Sequence, residues 1–322
     1  MKKILSLDGG GIRGIIPSMI LMEIESRTGK RIAELFDLIG GTSTGGILSL
    51  GLTKPDANRQ PQYAAKELLQ LYETRGNDIF SRPAWKQLLP LGNVFGPKYS
   101  ASGLEKLLKE YFGEAQLSDA ITQLVITSYD VQHRQSHFFK SHKASASADR
   151  DFLMRDVARS TSAAPTYFPP NRLNMAGTTG DYYALVDGGV FANNPAMCAY
   201  VEAKSIYKDE KDFLVVSVGT GENAKRLDYD KVKRWGLLSW AQPVIEVVFD
   251  GINDTIDYQL SQLMPMTGDD KRYYRFQITL NGVREDLDDC TPENIRGLKS
   301  LGEELIHRSN AEIDAVCELL KK

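Results

Sequence analysis

Cysteine is scarce in this sequence. The 322 residues include three cysteines, which lie far apart at Cys198, Cys290 and Cys317. An odd number of cysteines at these spacings fits neither a disulfide framework nor a zinc site. We therefore predict that the protein belongs to a reducing compartment.

Long apolar runs and a strong charge of one sign are also absent. No stretch approaches the roughly 20 consecutive apolar residues that a membrane-spanning helix needs. Four residues separate Lys3 from Asp8, too few for the apolar core of a signal peptide. The formal net charge of −3 gives no general attraction to nucleic acid or to anionic lipid. We expect a cytoplasmic protein that binds no nucleic-acid polymer and whose membrane contact is peripheral, local and hydrophobic.

Two units of strand, glycine turn and helix occupy about the first fifty residues. Residues 3–7 predict a short buried strand that ends at a glycine turn. Isoleucines at i, i+4 spacing predict a helix over 15–28, with Gly29 as its C-terminal stop. The apolar run 36–40 predicts a second strand, and 45–52 a second helix. This alternation predicts an α/β fold, with a mostly parallel central sheet flanked by helices.

Later segments extend this pattern. We predict a strand pair at 123–130 and 136–140, a polar loop at 142–150 and an irregular flap at 82–100. No internal repeat or low-complexity linker divides the chain. We therefore expect one domain over residues 1–322, with a helical C-terminal part from about residue 240.

The start of that helical part is unusually apolar. The stretch 240–263 carries apolar residues along one helical face, namely Val244, Val247, Val248, Ile252, Ile256 and Leu260. Four large apolar residues precede it: Trp235, Leu237, Leu238 and Trp240. We expect these four to pack in the core at the start of the helix. Insertion into a membrane interface, where tryptophan is favoured, is the alternative.

Ser43 lies in a G-x-S-x-G pattern, Gly41-Thr42-Ser43-Thr44-Gly45, between a predicted strand and a predicted helix. In this context the pattern acts as a nucleophile elbow, a sharp turn that exposes the serine hydroxyl. The free amides at the following helix start also favour an anion. The alternative is a turn of small residues in which Ser43 is only a helix N-cap. We predict that Ser43 is a nucleophile.

A serine nucleophile needs an adjacent base, which is most often histidine. None of the four histidines ends an evident strand beside a glycine turn; they are His133, His137, His142 and His307. Asp187 has the expected position, since it ends an apolar run and is followed by the turn Gly188-Gly189. We therefore predict Asp187 as the base, with a simple turn aspartate as the alternative.

The segment Gly9-Gly10-Gly11-Ile12-Arg13-Gly14 formally matches the dinucleotide-binding pattern G-x-G-x-x-G. A nicotinamide-dependent oxidoreductase is therefore an alternative, but it requires an acidic residue at the end of the second strand. In the hydrolase interpretation, the amides of Gly9, Gly10 and Gly11 form an oxyanion hole. Arg13 then orders the loop or holds a phosphate, unless it only neutralises a nearby carboxylate, that of Asp8 or Glu34.

In this order, the motifs at 8–14, 41–45 and 187–189 together resemble the patatin-like phospholipases. Further similarity lies in 160–170, in 218–221 and in 235–240, so the resemblance runs from about residue 3 to 240. It implies a three-layer patatin-like fold and a Ser–Asp dyad. The implied site residues are Ser43 and Asp187 as the dyad, Gly9, Gly10 and Gly11 as the oxyanion hole, and Arg13, Gly14, Gly41, Gly45, Gly188 and Gly189 as supporting motif residues.

The resemblance also implies an activity. Patatin-like enzymes are lipid acyl hydrolases that need no metal or other cofactor, so we expect carboxylic esters of phospholipids or lysophospholipids as substrates. The chain also resembles short bacterial members that act as antiphage effectors and are activated by a cyclic dinucleotide. A non-catalytic lipid-binding or storage protein is a further alternative. The sequence leaves open whether the chain forms a homo-oligomer. Asn193-Asn194-Pro195 either shapes the pocket or has a structural role.

Overall fold

The computed structural model describes residues 1–80, 96–175, 180–224, 227–240, 243–264 and 271–322, without the side chain of Leu238. Its strands form one sheet in the order β5-β6-β3-β2-β1-β7-β8, with β4 paired to β3. The strands are β1 Lys2–Leu7, β2 Leu38–Gly41, β3 Gln123–Asp130, β4 Gln135–Lys140, β5 Asn171–Asn174, β6 Tyr182–Asp187, β7 Phe213–Val218 and β8 Tyr273–Phe276.

Helices connect and cover these strands. In chain order they are α1 Ile15–Thr28, α2 Ile32–Leu35, α3 Thr44–Thr53, α4 Ala65–Ile79, α5 Ser102–Phe112, α6 Ser141–Ala146, α7 Met154–Thr161, α8 Gly189–Ala192, α9 Ala196–Ile206, α10 Tyr229–Val232, α11 Leu237–Trp240, α12 Pro243–Leu263, α13 Pro292–Arg308 and α14 Asn310–Lys321. The first helix has the predicted bounds, because Gly29 adopts a left-handed conformation with φ 69° and ends it. In the described residues, no helix is both long and apolar enough to cross a bilayer.

The sheet is parallel at its centre and antiparallel at one edge. The strands β3, β2, β1, β7 and β8 run parallel, whereas β4, β6 and β5 join the β3 edge in antiparallel pairs. Both faces of the central strands are buried: Leu5 packs in one apolar cluster and Ile4 in the cluster on the opposite face. Because helices cover both faces, the predicted three-layer α/β fold is confirmed.

Two segments were predicted to be irregular, 142–150 and 82–100. The prediction of a loop over 142–150 is wrong, since this stretch forms most of α6 and a short 3-10 helix, Ala148–Arg150. Small polar residues suggested a loop, but Ala144 is buried in the core and tertiary packing outweighs their low helix propensity. Of the predicted flap at 82–100, residues up to 95 lie outside the described residues, and 96–100 is irregular.

The apolar start of α12 does not pack as core. Leu260 is buried, but Val244, Val247 and Val248 expose 43%, 44% and 40% of their surface. Leu237 is 93% exposed, so the prediction of core packing is wrong for this residue. The second half of α12 packs through Leu260 in the cluster that lines one sheet face, whereas the first half buries Phe249 and leaves its valines partly exposed.

Candidate active site

The sheet topology brings the ends of β2 and β6 together. Gly41, the last residue of β2, pairs with Ile126 of β3, and Asp187, the last residue of β6, pairs with Ser128. The other side of β3 is taken by β4, so β2 and β6 lie on the same side. Because β2 is parallel and β6 antiparallel to β3, their carboxyl ends point at each other across Thr127. The segments that carry Ser43 and Asp187 therefore meet.

Ser43 sits on a strained turn between β2 and α3. Its φ of 54° and ψ of −122° are rare for a residue with a side chain, and such strain is typical of a nucleophile elbow. The Thr161 hydroxyl accepts a 2.9 Å hydrogen bond from the Ser43 N–H and donates one of 2.7 Å to the Thr127 carbonyl. These contacts anchor the turn to β3. A Cβ atom on Gly45 would lie 2.1 Å from the Leu7 carbonyl oxygen, so this position requires glycine.

Asp187 is buried and faces Ser43. Its Oδ1 accepts a 2.7 Å hydrogen bond from the Gly189 N–H, and Gly188 packs so closely on Thr127 that a Cβ would lie 2.1 Å from the threonine hydroxyl. Burial raises the pKa of Asp187 to about 7, while hydrogen bonding to the Ser43 hydroxyl and to Gly189 opposes this rise. A carboxylate with this pKa is suited to accept a proton at neutral pH.

The histidines lie elsewhere. Among the described residues, none lines the cavity around Ser43. His137 packs between Phe139 and Tyr183, and burial lowers its pKa to about 4. His133 contacts the buried carboxylate of Asp130 at 2.5 Å. These positions agree with the expectation that the base beside Ser43 is not a histidine.

The predicted oxyanion hole needs one correction. The Gly9 N–H already donates a 3.0 Å hydrogen bond to the Asn193 carbonyl, so the prediction that it serves an oxyanion is wrong. Gly10 and Gly11 both line the Ser43 cavity, and their N–H groups have no acceptor in the described part of the chain. The Thr44 N–H at the start of α3 is a further candidate donor, since Thr44 lines the cavity directly after the nucleophile. It is one of the free helix-start amides that were expected to favour an anion, but it was not named as part of the predicted oxyanion hole.

Residues that follow β7 and α8 hold the glycine loop in place. The Thr220 hydroxyl donates a 2.7 Å hydrogen bond to the Gly9 carbonyl, and a Cβ on Gly10 would lie 2.2 Å from Thr220 Oγ1. Asn193 is buried, and its amide contacts the Gly9 carbonyl at 3.4 Å. Asn193 therefore has the structural role that was one of the two predictions for it.

A buried ion pair lies directly before the loop. Asp8 Oδ2 accepts a 2.6 Å bond from Arg275, whose guanidinium also donates to Ser217 at 2.8 Å. Arg13 therefore does not neutralise Asp8. Its side chain donates to the Gly10 carbonyl at 3.3 Å and to Asn223 at 3.2 Å, so Arg13 orders the loop. Its predicted phosphate contact stays a prediction.

The loop geometry argues against the dinucleotide alternative. The Leu287 carbonyl accepts a 2.8 Å hydrogen bond from the Ile12 N–H and lies 2.1 Å from where a Cβ of Gly11 would be. The backbone around Leu287 therefore covers the turn on which a pyrophosphate would have to rest. In the described residues, no cluster of three or more metal-binding side chains occurs.

A narrow cavity, partly open to solvent, adjoins the dyad. The Ser43 hydroxyl and the Asp187 carboxylate supply polar groups to its wall. The rest of the wall is largely apolar and includes Ile47, Tyr72, Ile79, Phe80, Leu104 and Phe168. A mostly apolar cavity with a few reactive polar groups suits an acyl chain whose ester carbonyl lies beside those groups.

Several known proteins are similar to this chain in sequence. The family model of the patatin-like phospholipases matches residues 5–200. Patatin-like protein 2 of Oryza sativa subsp. indica is 34% identical, over 98% of this chain and 86% of its own. A Solanum tuberosum protein named probable inactive patatin-3-Kuras 1 is 33% identical, over 97% and 88%. The crystal structure of VipD from Legionella pneumophila covers 95% of this chain and 67% of its own, but its TM-score of 0.40 at 13% identity carries no argument. The two sequence comparisons and the family model establish that the chain belongs to the patatin-like phospholipase family.

Proposed function

We propose that the protein hydrolyses fatty-acyl esters of membrane phospholipids or lysophospholipids, with Ser43 as nucleophile and Asp187 as base. The observation that carries this proposal is the buried Asp187 carboxylate facing Ser43, with its pKa raised to about 7. A simple turn aspartate would be solvated, whereas this one is 2% exposed and lies in the wall of an apolar cavity.

In the first half of the reaction, Ser43 Oγ attacks the ester carbonyl while its proton passes to Asp187. The negative charge on the former carbonyl oxygen is stabilised by the N–H groups of Gly10, Gly11 and Thr44, each contributing about 3–4 kcal/mol in comparable sites. The tetrahedral intermediate then collapses. The ester C–O bond breaks, and the leaving alcohol takes the proton from Asp187.

In the second half, water attacks the acyl-enzyme and gives a proton to Asp187. The bond between the acyl carbon and Ser43 Oγ breaks, and the serine regains its proton as the fatty acid leaves. One residue thus acts as base and acid in turn, which requires a pKa near the working pH. The value of about 7 for Asp187 meets this requirement.

A non-catalytic lipid-binding protein is the competing function. Family membership does not decide between the two, because one similar potato protein is itself named as probably inactive. Labelling with a fluorophosphonate probe, which reacts with activated serines, separates them. We expect the wild-type protein to be labelled and Ser43→Ala to be unlabelled.

Ser162→Ala is the matched control for this experiment. Ser162 also lines the cavity, but its hydroxyl donates a 2.6 Å hydrogen bond to the Ala158 carbonyl. We expect this variant to keep its labelling. Persistent labelling of Ser43→Ala would show that the nucleophile is another residue. A wild-type protein that binds lipid vesicles, remains unlabelled and releases no fatty acid would favour the lipid-binding function.

A further inference from the structure

An exposed apolar face lies at the start of α12. Its members are Leu237 of α11 and Val244, Val247 and Val248 of α12, and we call these four residues the apolar face. The valines stand at i, i+3 and i+4, so they project from one side of the helix. Leu237 exposes 93% of its surface and the valines 40–44%. Such large apolar side chains are more often buried, and here the described residues cover the valines only in part and Leu237 hardly at all.

Two tryptophans accompany the apolar face. The rings of Trp235 and Trp240 pack edge to face with centroids 5.3 Å apart, and both side chains are only partly buried. The backbone N–H of Trp240 donates a 3.1 Å hydrogen bond to the Gly236 carbonyl, which closes the turn that joins the two tryptophans. Tryptophan is enriched where one end of a side chain meets an apolar phase and the other meets water.

The apolar face lies beside elements that line the Ser43 cavity. On the opposite side of α12, Phe249 forms part of the wall of that cavity, and together with Ile245 it lines a small pocket beside Arg13. Glu246 and Asp250 line both this pocket and a wider groove that includes Trp235 and Val247. The groove next to the apolar face and the Ser43 cavity therefore each share wall residues with the small pocket.

The local charge differs from that of the whole chain. The stretch 227–240 carries three basic and two acidic residues, whereas the complete chain has a net charge of −3. Asp228 caps α10 by accepting from the Lys231 N–H, and Asp230 pairs with Lys233. Arg234 donates to the Asp230 backbone carbonyl at 3.1 Å. The adjoining groove is acidic, since Asp228, Glu246, Asp250, Glu285 and Asp286 line it together with only two basic residues, Lys231 and Arg284. Attraction to a bilayer therefore comes from the leucine, valine and tryptophan side chains, which suit a bilayer interface.

The apolar face is too small to form a stable interface with another protein by itself. They offer on the order of a few hundred Å² of surface, the size of a functional patch on a monomer. A stable protein interface buries about 800 Å² per partner. A bilayer makes no such demand for a large complementary area, because single apolar side chains insert between lipids and basic side chains contact the headgroups.

We propose that the apolar face, with Trp235 and Trp240, docks the protein on a phospholipid bilayer. This inference rests on the proposed function, since it explains how an acyl ester held in a bilayer reaches Ser43. Docking places the groove against the membrane surface.

The test is sedimentation of the protein with vesicles of phosphatidylcholine and phosphatidylglycerol, carried out in the Ser43→Ala background so that no lipid is hydrolysed. We expect the double variant Leu237→Glu with Val244→Glu to weaken vesicle affinity at least about tenfold, since withdrawing one large apolar side chain from a bilayer costs that much. Because the groove beside the face is acidic, vesicles of phosphatidylcholine alone should bind the unsubstituted protein at least as tightly as mixed vesicles.

The matched control is Tyr258→Glu with Leu263→Glu. These residues are 68% and 64% exposed on the other half of the same helix, so their exchange adds the same charge away from the apolar face. We expect the control to keep its vesicle affinity. Equal affinity for both double variants, or no vesicle binding by the parent protein, would overturn the proposal. A parent dimer that the Leu237→Glu variant splits, with vesicle binding unchanged, would instead identify the face as a contact between copies.

Activity on a soluble short-chain ester separates this proposal from the proposed function. In the Ser43 enzyme, the double variant should lose far more activity on vesicles than on the soluble ester. If the unsubstituted enzyme hydrolyses neither substrate but binds vesicles through the face, the catalytic proposal fails and the docking proposal stands.

Discussion

The glycine turns around Ser43 and the start of α12 differ in how firmly the rest of the chain holds them. At the turns, neighbours approach so closely that added Cβ atoms on Gly10 and Gly45 would come within 2.2 and 2.1 Å of other atoms. At the start of α12, Gly236 and Gly251 have nothing within 4 Å of such an atom, and Leu237 is almost fully exposed. A reaction centre needs fixed donors, and an interfacial surface needs free apolar side chains. The difference between the two regions therefore matches the two proposed tasks.

Arg275→Met tests how firmly the glycine loop is held, and we expect it to have the largest effect on stability. This substitution leaves the Asp8 carboxylate, which is fully buried, without its partner. We expect the free energy of unfolding to fall by about 3–5 kcal/mol, as for other buried pairs that lose one partner. Urea denaturation measures it. Arg75→Met, which removes an exposed pair with Glu110, is the control and should change stability little. A similar small effect at Arg275 would mean that the pair does not hold the glycine loop.

Gly45→Ala tests the close approach at the nucleophile turn. The new methyl group would lie 2.1 Å from the backbone oxygen of Leu7, and backbone cannot rotate away as a side chain can. We expect a loss of stability of about 1–3 kcal/mol or more, together with lost hydrolysis because the turn must shift. Thermal unfolding and ester hydrolysis provide the two readouts. A variant with normal activity would show that the turn tolerates far more movement than this packing implies.

Gly251→Ala is the counterpart at the start of α12 and should have the smallest effect, of opposite sign. The position is helical, exposed and open around the added methyl group. We expect stability to rise by about 0.5–1 kcal/mol, because alanine loses less backbone entropy than glycine in a helix. A destabilised Gly251→Ala protein would contradict the description of this region as loosely packed.

Local patterns were sufficient to predict several of these features. The G-x-S-x-G pattern indicated the elbow at Ser43, and isoleucine spacing with Gly29 gave the bounds of α1. Long-range contacts were not accessible in the same way. No local signal shows that the Gly9 N–H is occupied by the Asn193 carbonyl or that Arg275 pairs with Asp8, because these partners lie more than 180 residues apart in the chain.

Burial was equally hard to foresee. The apolar stripe of α12 looked uniform in sequence, but only its second half meets the sheet. In 142–150, the many small polar residues favoured the prediction of a loop, and the sequence did not show that Ala144 is buried and stabilises a helix. The single-domain organisation, cytoplasmic location, antiphage role and activation by a cyclic dinucleotide stay predictions.

The most direct test of the Ser43–Asp187 dyad is the pH dependence of kcat/KM on a soluble short-chain ester. Asp187 acts as a base only when it is deprotonated, so with its pKa at about 7 activity should rise with pH through 7 and then level off. Asp187→Asn should lower kcat/KM by about 10²–10⁴-fold and abolish this rise. Full activity of Asp187→Asn with an unchanged pH profile would contradict the dyad.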